Sequence, residues 1–254
     1  MELLSKTKEQ RGRNMSDHRD LINDIIQKIS QGDIAPDKAW STIRSLKDKY
    51  IETCERLHPD KDAEQSWHVF IGNSFQNLVY AILKGYFANL KKKDKTFQNL
   101  QILKESELNK NEIIVRKLAI RYGDHLLLPD TDMVIANYTI EDPWHSEVLA
   151  IVSCKTSLRE RIAQACYWKL KLLSNDTTKN VKVFLTTTDN DNDFVLQENR
   201  KKSFGGRSRN RIIAEYELDG VYILRDDFNK AWESQKVKRY ERIFEDLQRI
   251  FTSR

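Results

Sequence analysis

The chain has few of the residues that cross-link or punctuate a fold. Cysteine occurs three times, as Cys54, Cys154 and Cys166, and never as a CxxC pair. An odd, unpaired set excludes a disulfide framework and gives no zinc spacing, so a reducing, cytoplasmic location is expected. Only 8 glycines and 4 prolines occur among 254 residues, which excludes collagen-like and linker-rich chains. No run of apolar residues is long enough to predict a membrane-spanning helix. The first residues, MELLSKTKEQRGRN, have no apolar h-region, so no secretory signal is expected.

What is present is charge. Charged residues make up 32% of the chain and hydrophobic residues 39%, with 43 Lys plus Arg against 38 Asp plus Glu. The net charge of +5 is compatible with a polyanionic partner, and the placement of the charge matters more than its sum. The length suits one large domain, or a core with an annex.

The pattern changes near residue 111. Before it, LINDIIQKI carries Leu21, Ile22, Ile25, Ile26 and Ile29 on one helical face. A second helix is predicted from Ala39 to Leu57. A third is predicted from Glu64 to Leu90, ending in the solvated run Lys91–Lys95. After residue 111, β-branched runs predict strands at Glu112–Ile120, Asp132–Asn137, Glu147–Cys154 and Val181–Thr188. A helix is expected from Ser157 to Leu173, short strands at Ile212–Leu218 and Val221–Leu224, and a last helix from Asp226 to Phe251. Central strands that are apolar on both faces need helices on both faces. The expected fold is therefore α/β, a mixed central β-sheet flanked by helices. A mainly helical region, residues 1–110, is expected to pack on a core of residues 111–254.

The chemistry concentrates between Gly123 and Lys171. Pro129-Asp130 precedes one apolar strand, and Lys155 ends the next. If those strands are neighbours, a carboxylate and an ammonium group meet at one edge of the sheet. A carboxylate there suits a hard divalent cation, which polarises a phosphodiester and acidifies bound water. A lysine there suits the charge on a phosphate and the alignment of an attacking water.

Pro129-Asp130…Ser153-Cys154-Lys155 resembles the PD-(D/E)XK nuclease signature. Continued through Arg159-Glu160-Arg161, it is similar to type II restriction endonucleases, in particular the branch that recognises CC…GG-containing palindromes. In that branch an Arg-Glu-Arg element follows the catalytic lysine and enters the major groove. The surrounding LLPDTDMVIA, IAQACYWKLKL and ELDGVYIL also look like those of bacterial restriction enzymes. The resemblance covers roughly residues 65 to 225. It implies Mg²⁺-dependent hydrolysis of double-stranded DNA at a short G·C-containing palindrome by a homodimer, within a bacterial or archaeal restriction-modification system.

It also implies roles for residues. Asp130 binds the metal, and Lys155 aligns or activates water. Ser153 departs from the signature, because it replaces the acid expected at that position. Relatives with serine there take the second carboxylate from the following helix, but the matching Trp168 and Lys169 are not acidic. Asp132, on the face of Asp130 by strand alternation, is the first substitute. Gln76 and Glu160 are the others.

Arg159 and Arg161 can fork onto guanine O6 and N7, and Glu160 can accept from cytosine N4. In Arg200–Arg211 six residues are basic, namely Arg200, Lys201, Lys202, Arg207, Arg209 and Arg211, with Gly205-Gly206 between them. This segment is expected to contact the DNA backbone. Two alternatives remain open, a structure-specific or repair nuclease on the same core and a degenerate, non-catalytic DNA-binding protein. Without the motif context, Asp130 would be a turn residue and the Arg-Glu-Arg triplet ordinary helix-surface charge. His68, His125 and His145 are not at metal spacing, and Tyr167 and Trp168 are expected in the core.

Overall fold

The computed structural model describes residues 18–29, 31, 33–139, 141–158, 161–198 and 205–252. The chain divides into two compact units, residues 1–82 and 83–254.

The first unit is helical. Helix α1 (residues 18–29) buries Ile22, Ile25 and Ile29, the stripe legible in the sequence, while Leu21 stays exposed. The single helix expected over 39–57 is two, α2 (Pro36–Arg44) and α3 (Lys47–Leu57). The break falls where hydroxyls compete for backbone carbonyls. Ser45 Oγ donates to Thr42 O at 2.8 Å, and Thr42 Oγ1 to Lys38 O at 2.9 Å. Helix α4 (Ala63–Lys93) follows and runs on into the second unit. Trp40 meets the Phe75 ring edge-on at 5.1 Å and Tyr50 stacks on Phe70 at 4.5 Å, so aromatic contacts dominate this core.

The second unit is built on a six-stranded mixed sheet. Its strands are β1 (Leu100–Lys104), β4 (Met133–Asn137), β5 (Glu147–Lys155), β6 (Lys182–Thr187), β7 (Gly220–Ile223) and β8 (Val237–Arg239), adjacent in that order. The pairs β1–β4 and β4–β5 are antiparallel, and β5 through β8 are parallel. A small hairpin, β2 (Ile120–Tyr122) and β3 (His125–Leu127), stands apart from the sheet.

Alternate residues cover the two faces. Val134, Ala136, Ile151, Val183, Leu185, Val221 and Ile223 share one core cluster with residues of α6 (Glu112–Leu118), α7 (Arg161–Leu173) and α8 (Arg209–Glu217). On the other face Tyr222 packs edge-on against Phe184 and donates to Asp246 of α9 (Ile243–Thr252) at 2.8 Å. Helices therefore lie on both faces, as the two-sided apolar strands demanded.

Three further local expectations fail, because context overrides propensity. Glu112–Ile120 is helix α6 rather than a strand. Asn111 caps it by accepting from Ile114 N at 3.2 Å, and Ile114 and Leu118 bury one helical face. Ile212–Leu218 lies mostly in α8, capped by Ser208, which accepts from Arg211 N at 2.9 Å. Helix was expected throughout 226–251, but this stretch contains β8 before α9 begins. Strand β1 and the four-residue helix α5 (Glu105–Leu108) were not anticipated in the stretch before residue 111.

The sheet's carboxyl-end edge holds a buried acid. Asp189 follows β6 with φ +51° and is 0% exposed. Its carboxylate accepts from Asp193 N at 2.7 Å and Phe194 N at 3.0 Å, with an Arg225 nitrogen at 3.8 Å. Burial nonetheless dominates and pushes its pKa up to about 7. The folded pKa thus lies above the unfolded value of about 3.9. Stability from the neutral form is fully present below about pH 4 and is lost as pH rises towards about 7. Urea midpoints measured from pH 4 to 8 should therefore fall less steeply with pH in Asp189→Asn than in the parent. Parallel profiles would contradict this assignment.

Candidate active site

The site forms where β4 begins and β5 ends. Because the two strands are antiparallel, with Met133 opposite Val152, the residue just before β4 meets the last residues of β5. That residue is Asp132. Its Oδ2 accepts from Lys155 Nζ at 3.1 Å and from Cys154 N at 2.6 Å, and Ser153 Oγ lies at 3.5 Å. The Lys155 and Asp132 side chains are 16% and 19% exposed, so the pair is only partly desolvated and remains open to solvent. The carboxylate that meets Lys155 is therefore Asp132, where Asp130 had been expected.

Asp130 is exposed and accepts a hydrogen bond from Gln164 of α7. It flanks the pair on the same segment, and no contact joins it to Lys155. Continued past β4, the register would set Asp132 opposite Ser153 and Asp130 opposite Lys155, but the pairing ends at Met133, and Asp132 reaches Lys155 diagonally.

The surroundings fix this arrangement. Ser153 is buried, and its carbonyl accepts from Thr186 Oγ1 at 3.2 Å, so it belongs to the framework. Thr186 Oγ1 also lies 3.1 Å from Cys154 Sγ. Burial, reinforced by the Asp132 charge, pushes the Cys154 thiol well above its ordinary pKa, so it stays protonated and inert. All three cysteines are buried and free, as their spacing implied.

The following helix supplies no acid. Lys169 is buried, with Nζ 2.6 Å from Asp219 and 3.2 Å from Val181 O at the start of β6. That is the opposite end of the strand from Thr187, which pairs with Lys155. Gln76 lies on α4 within the first unit. Tyr167, expected in the core, is 44% exposed with its hydroxyl 3.0 Å from that of Tyr122.

Among the described residues no three His, Cys, Asp or Glu side chains converge as a ready metal cage. Mg²⁺ needs less, since it is held by one or two carboxylates and otherwise keeps water and substrate oxygens. The Asp132 carboxylate, with Asp130 two residues away, is an all-oxygen set of that kind. Paired with an ammonium group, it can serve phosphoryl chemistry.

The expected DNA-contacting residues fall into three groups. Arg159, Glu160, Arg200, Lys201 and Lys202 lie outside the described residues. Arg161, Arg207 and Arg209 are exposed, Arg161 and Arg209 at helix starts and Arg207 with Nε 3.6 Å from Glu215. Arg211 departs from expectation, because it is 0% exposed within α8. Its guanidinium donates to Phe194 O, to Trp232 O at 2.6 Å and to Glu215 at 3.0 Å. Those partners occupy its donors inside the protein, so it pins α8 and is not presented to a phosphate. Gly205 and Gly206 take φ of +62° and +78°, where a Cβ would be strained. They make a turn.

Known proteins agree with this architecture. The chain is 39% identical over 188 residues to MjaVIP of Methanocaldococcus jannaschii, named as a candidate type II restriction enzyme, covering 73% of this chain and 76% of the relative. It is 31% identical over 140 residues to HpyAORF263P of Helicobacter pylori, also named as a type II restriction enzyme, covering 55% of this chain and 68% of that one. Its fold is similar to that in the PspGI restriction endonuclease–substrate DNA complex, with a TM-score of 0.50 at 12% identity over 98% of this chain and 93% of that one. The family model described as BsaWI restriction endonuclease type 2 matches residues 99–246, which include β1 and every strand of the mixed sheet. The chain belongs to that family and is a type II restriction endonuclease, a site-specific deoxyribonuclease.

Proposed function

We propose that the protein hydrolyses double-stranded DNA at a short G·C-containing palindrome in a Mg²⁺-dependent reaction, as a homodimer serving restriction-modification. The 3.1 Å Asp132–Lys155 contact at the open sheet edge carries this reading. Asp132, assisted by Asp130, would hold Mg²⁺, which when bound polarises the phosphodiester and lowers the pKa of water. Lys155 stabilises negative charge on the scissile phosphate and orients the water that attacks it. Cys154 N and Ser153 keep the Asp132 carboxylate aimed at Lys155. Gln164 restrains Asp130.

Arg159, Glu160 and Arg161 read G·C pairs, with Arg161 at the exposed start of α7. Arg200, Lys201, Lys202, Arg207 and Arg209 contact the backbone. A palindrome read by one chain per half-site calls for two-fold protein symmetry, because each site cuts one strand. Sequencing the ends of DNA cut by the purified protein with Mg²⁺ tests this reading. One recurring palindrome supports it, and ends without a common sequence or cutting confined to branched DNA contradict it.

Two further outcomes are expected. In single-turnover plasmid cleavage, Lys155→Ala and Asp132→Asn should each lose about 10²–10⁴-fold in rate while DNA binding persists. Asp130→Asn should lose less than Asp132→Asn. A larger loss at Asp130 would reverse the assignment of the two acids, and undiminished cutting by Lys155→Ala would remove the catalytic pair.

In binding titrations, Arg207→Ala with Arg209→Ala should flatten the dependence of log K on log salt by roughly 0.9 per lost phosphate contact. Arg211→Ala should instead lower folding stability by about 3–5 kcal/mol, since it leaves buried partners unpaired. An unchanged salt slope in the double variant would exclude its phosphate contacts.

A further inference from the structure

The loop after β6 grips the segment that links Lys155 to the Arg-Glu-Arg element. Thr188 Oγ1 donates to Thr156 O at 3.1 Å, and Asn190 N to the same carbonyl at 3.4 Å. Asp191 Oδ2 accepts from both Ser157 Oγ and Leu158 N at 2.8 Å. The Leu158 side chain is 0% exposed, and its carbonyl accepts from Arg161 N at 2.6 Å. The chain is thus held at Leu158 and at Arg161. The loop is itself anchored, because Arg225 donates to Asp189 O at 3.0 Å and Asn192 Oδ1 at 2.8 Å.

The same loop reaches the basic segment. Ser208 Oγ donates to Asp193 O at 2.7 Å and Asn210 Nδ2 to Asp193 Oδ2 at 2.9 Å. One short loop therefore ties the exit of the lysine strand to the start of α8.

Asp191 is exposed. An exposed carboxylate beside a polyanion weakens binding through repulsion, so its presence at this position favours a positioning role over a contribution to affinity.

We propose that Asp191 is a positioning residue for sequence discrimination. It sets Ser157–Leu158, and through the Leu158 carbonyl the Arg161 backbone, in fixed register to Lys155. This rests on the reading of Arg159, Glu160 and Arg161 as base contacts. A misplaced fork loses its bond to the correct base without weakening contacts to any phosphate.

The test compares the full-length parent with Asp191→Ala and with Ser157→Ala, which deletes one of the two bonds. Cleavage is measured on the site found by end sequencing and on single-base variants of it, and binding on unrelated duplex DNA. In Asp191→Ala, kcat/KM at the correct site should fall at least tenfold while cutting at altered sites changes little. Binding to unrelated DNA should stay level or tighten. Ser157→Ala should move the same way by less, with a melting temperature close to the parent's.

Equal losses at correct and altered sites in Ser157→Ala would make the contact merely structural and overturn the proposal. So would full discrimination in Asp191→Ala. Arg159→Ala and Arg161→Ala serve as controls. If they retain discrimination, base reading by this element fails; if they lose it while Asp191→Ala does not, only the positioning role fails.

Discussion

One constraint organises the second unit, namely the antiparallel register between β4 and β5. It sets Met133 against Val152, so the residue ahead of β4 lands on the residues that close β5. A shift of one residue would turn Asp132 and Lys155 towards opposite faces and send each β4 side chain into the packing on the other side of the sheet. Catalytic geometry and core packing therefore depend on the same pairing. The shared carboxylate oxygen, bonded to Cys154 N at 2.6 Å and Lys155 at 3.1 Å, fastens that pairing at the functional end.

The parallel strands extend the same logic. Lys155 pairs with Thr187, and the loop beyond Thr187 folds back over the chain that leaves Lys155. The candidate site and the proposed positioning loop thus sit at adjacent strand ends, where open α/β sheets gather their functional loops. The buried Asp189 and the Arg225 guanidinium stiffen that loop from beneath. Arg211 does comparable work for α8, carrying a full charge into the interior to meet backbone carbonyls.

Much of this was legible in the sequence. The long apolar runs at 133–137, 147–155 and 182–187 announced central strands, and Lys155 at the exit of one of them pointed to the candidate site. Arg-Glu-Arg after the lysine pointed to restriction endonucleases, and the family match bears that out. Periodicity gave the helix at residues 18–29.

Other features depended on information that propensity does not carry. Ile113, Ile114 and Val115 favour strands, yet the Asn111 cap and the burial of Ile114 and Leu118 make them helical. Asp130 outranked Asp132 because the Pro-Asp pair matched a signature, and local pattern does not show that the chain leaves the β4–β5 ladder at Met133, where Asp132 turns to Lys155 and Asp130 to Gln164. Arg211 looked like one more basic loop residue because burial cannot be read from charge. The clamp by Asp191 involves residues 33 and 34 positions apart, and no local pattern marks such a contact.

The most direct measurement is a crystal structure of the protein on its cleavage site, with Ca²⁺ in place of Mg²⁺ to hold the DNA uncut. The account predicts the scissile phosphate at the β4–β5 edge, with Ca²⁺ between it and the Asp132 carboxylate and Lys155 Nζ within hydrogen-bonding distance of a phosphate oxygen. A scissile phosphate bound elsewhere on the protein, or a metal held without Asp132, would contradict it.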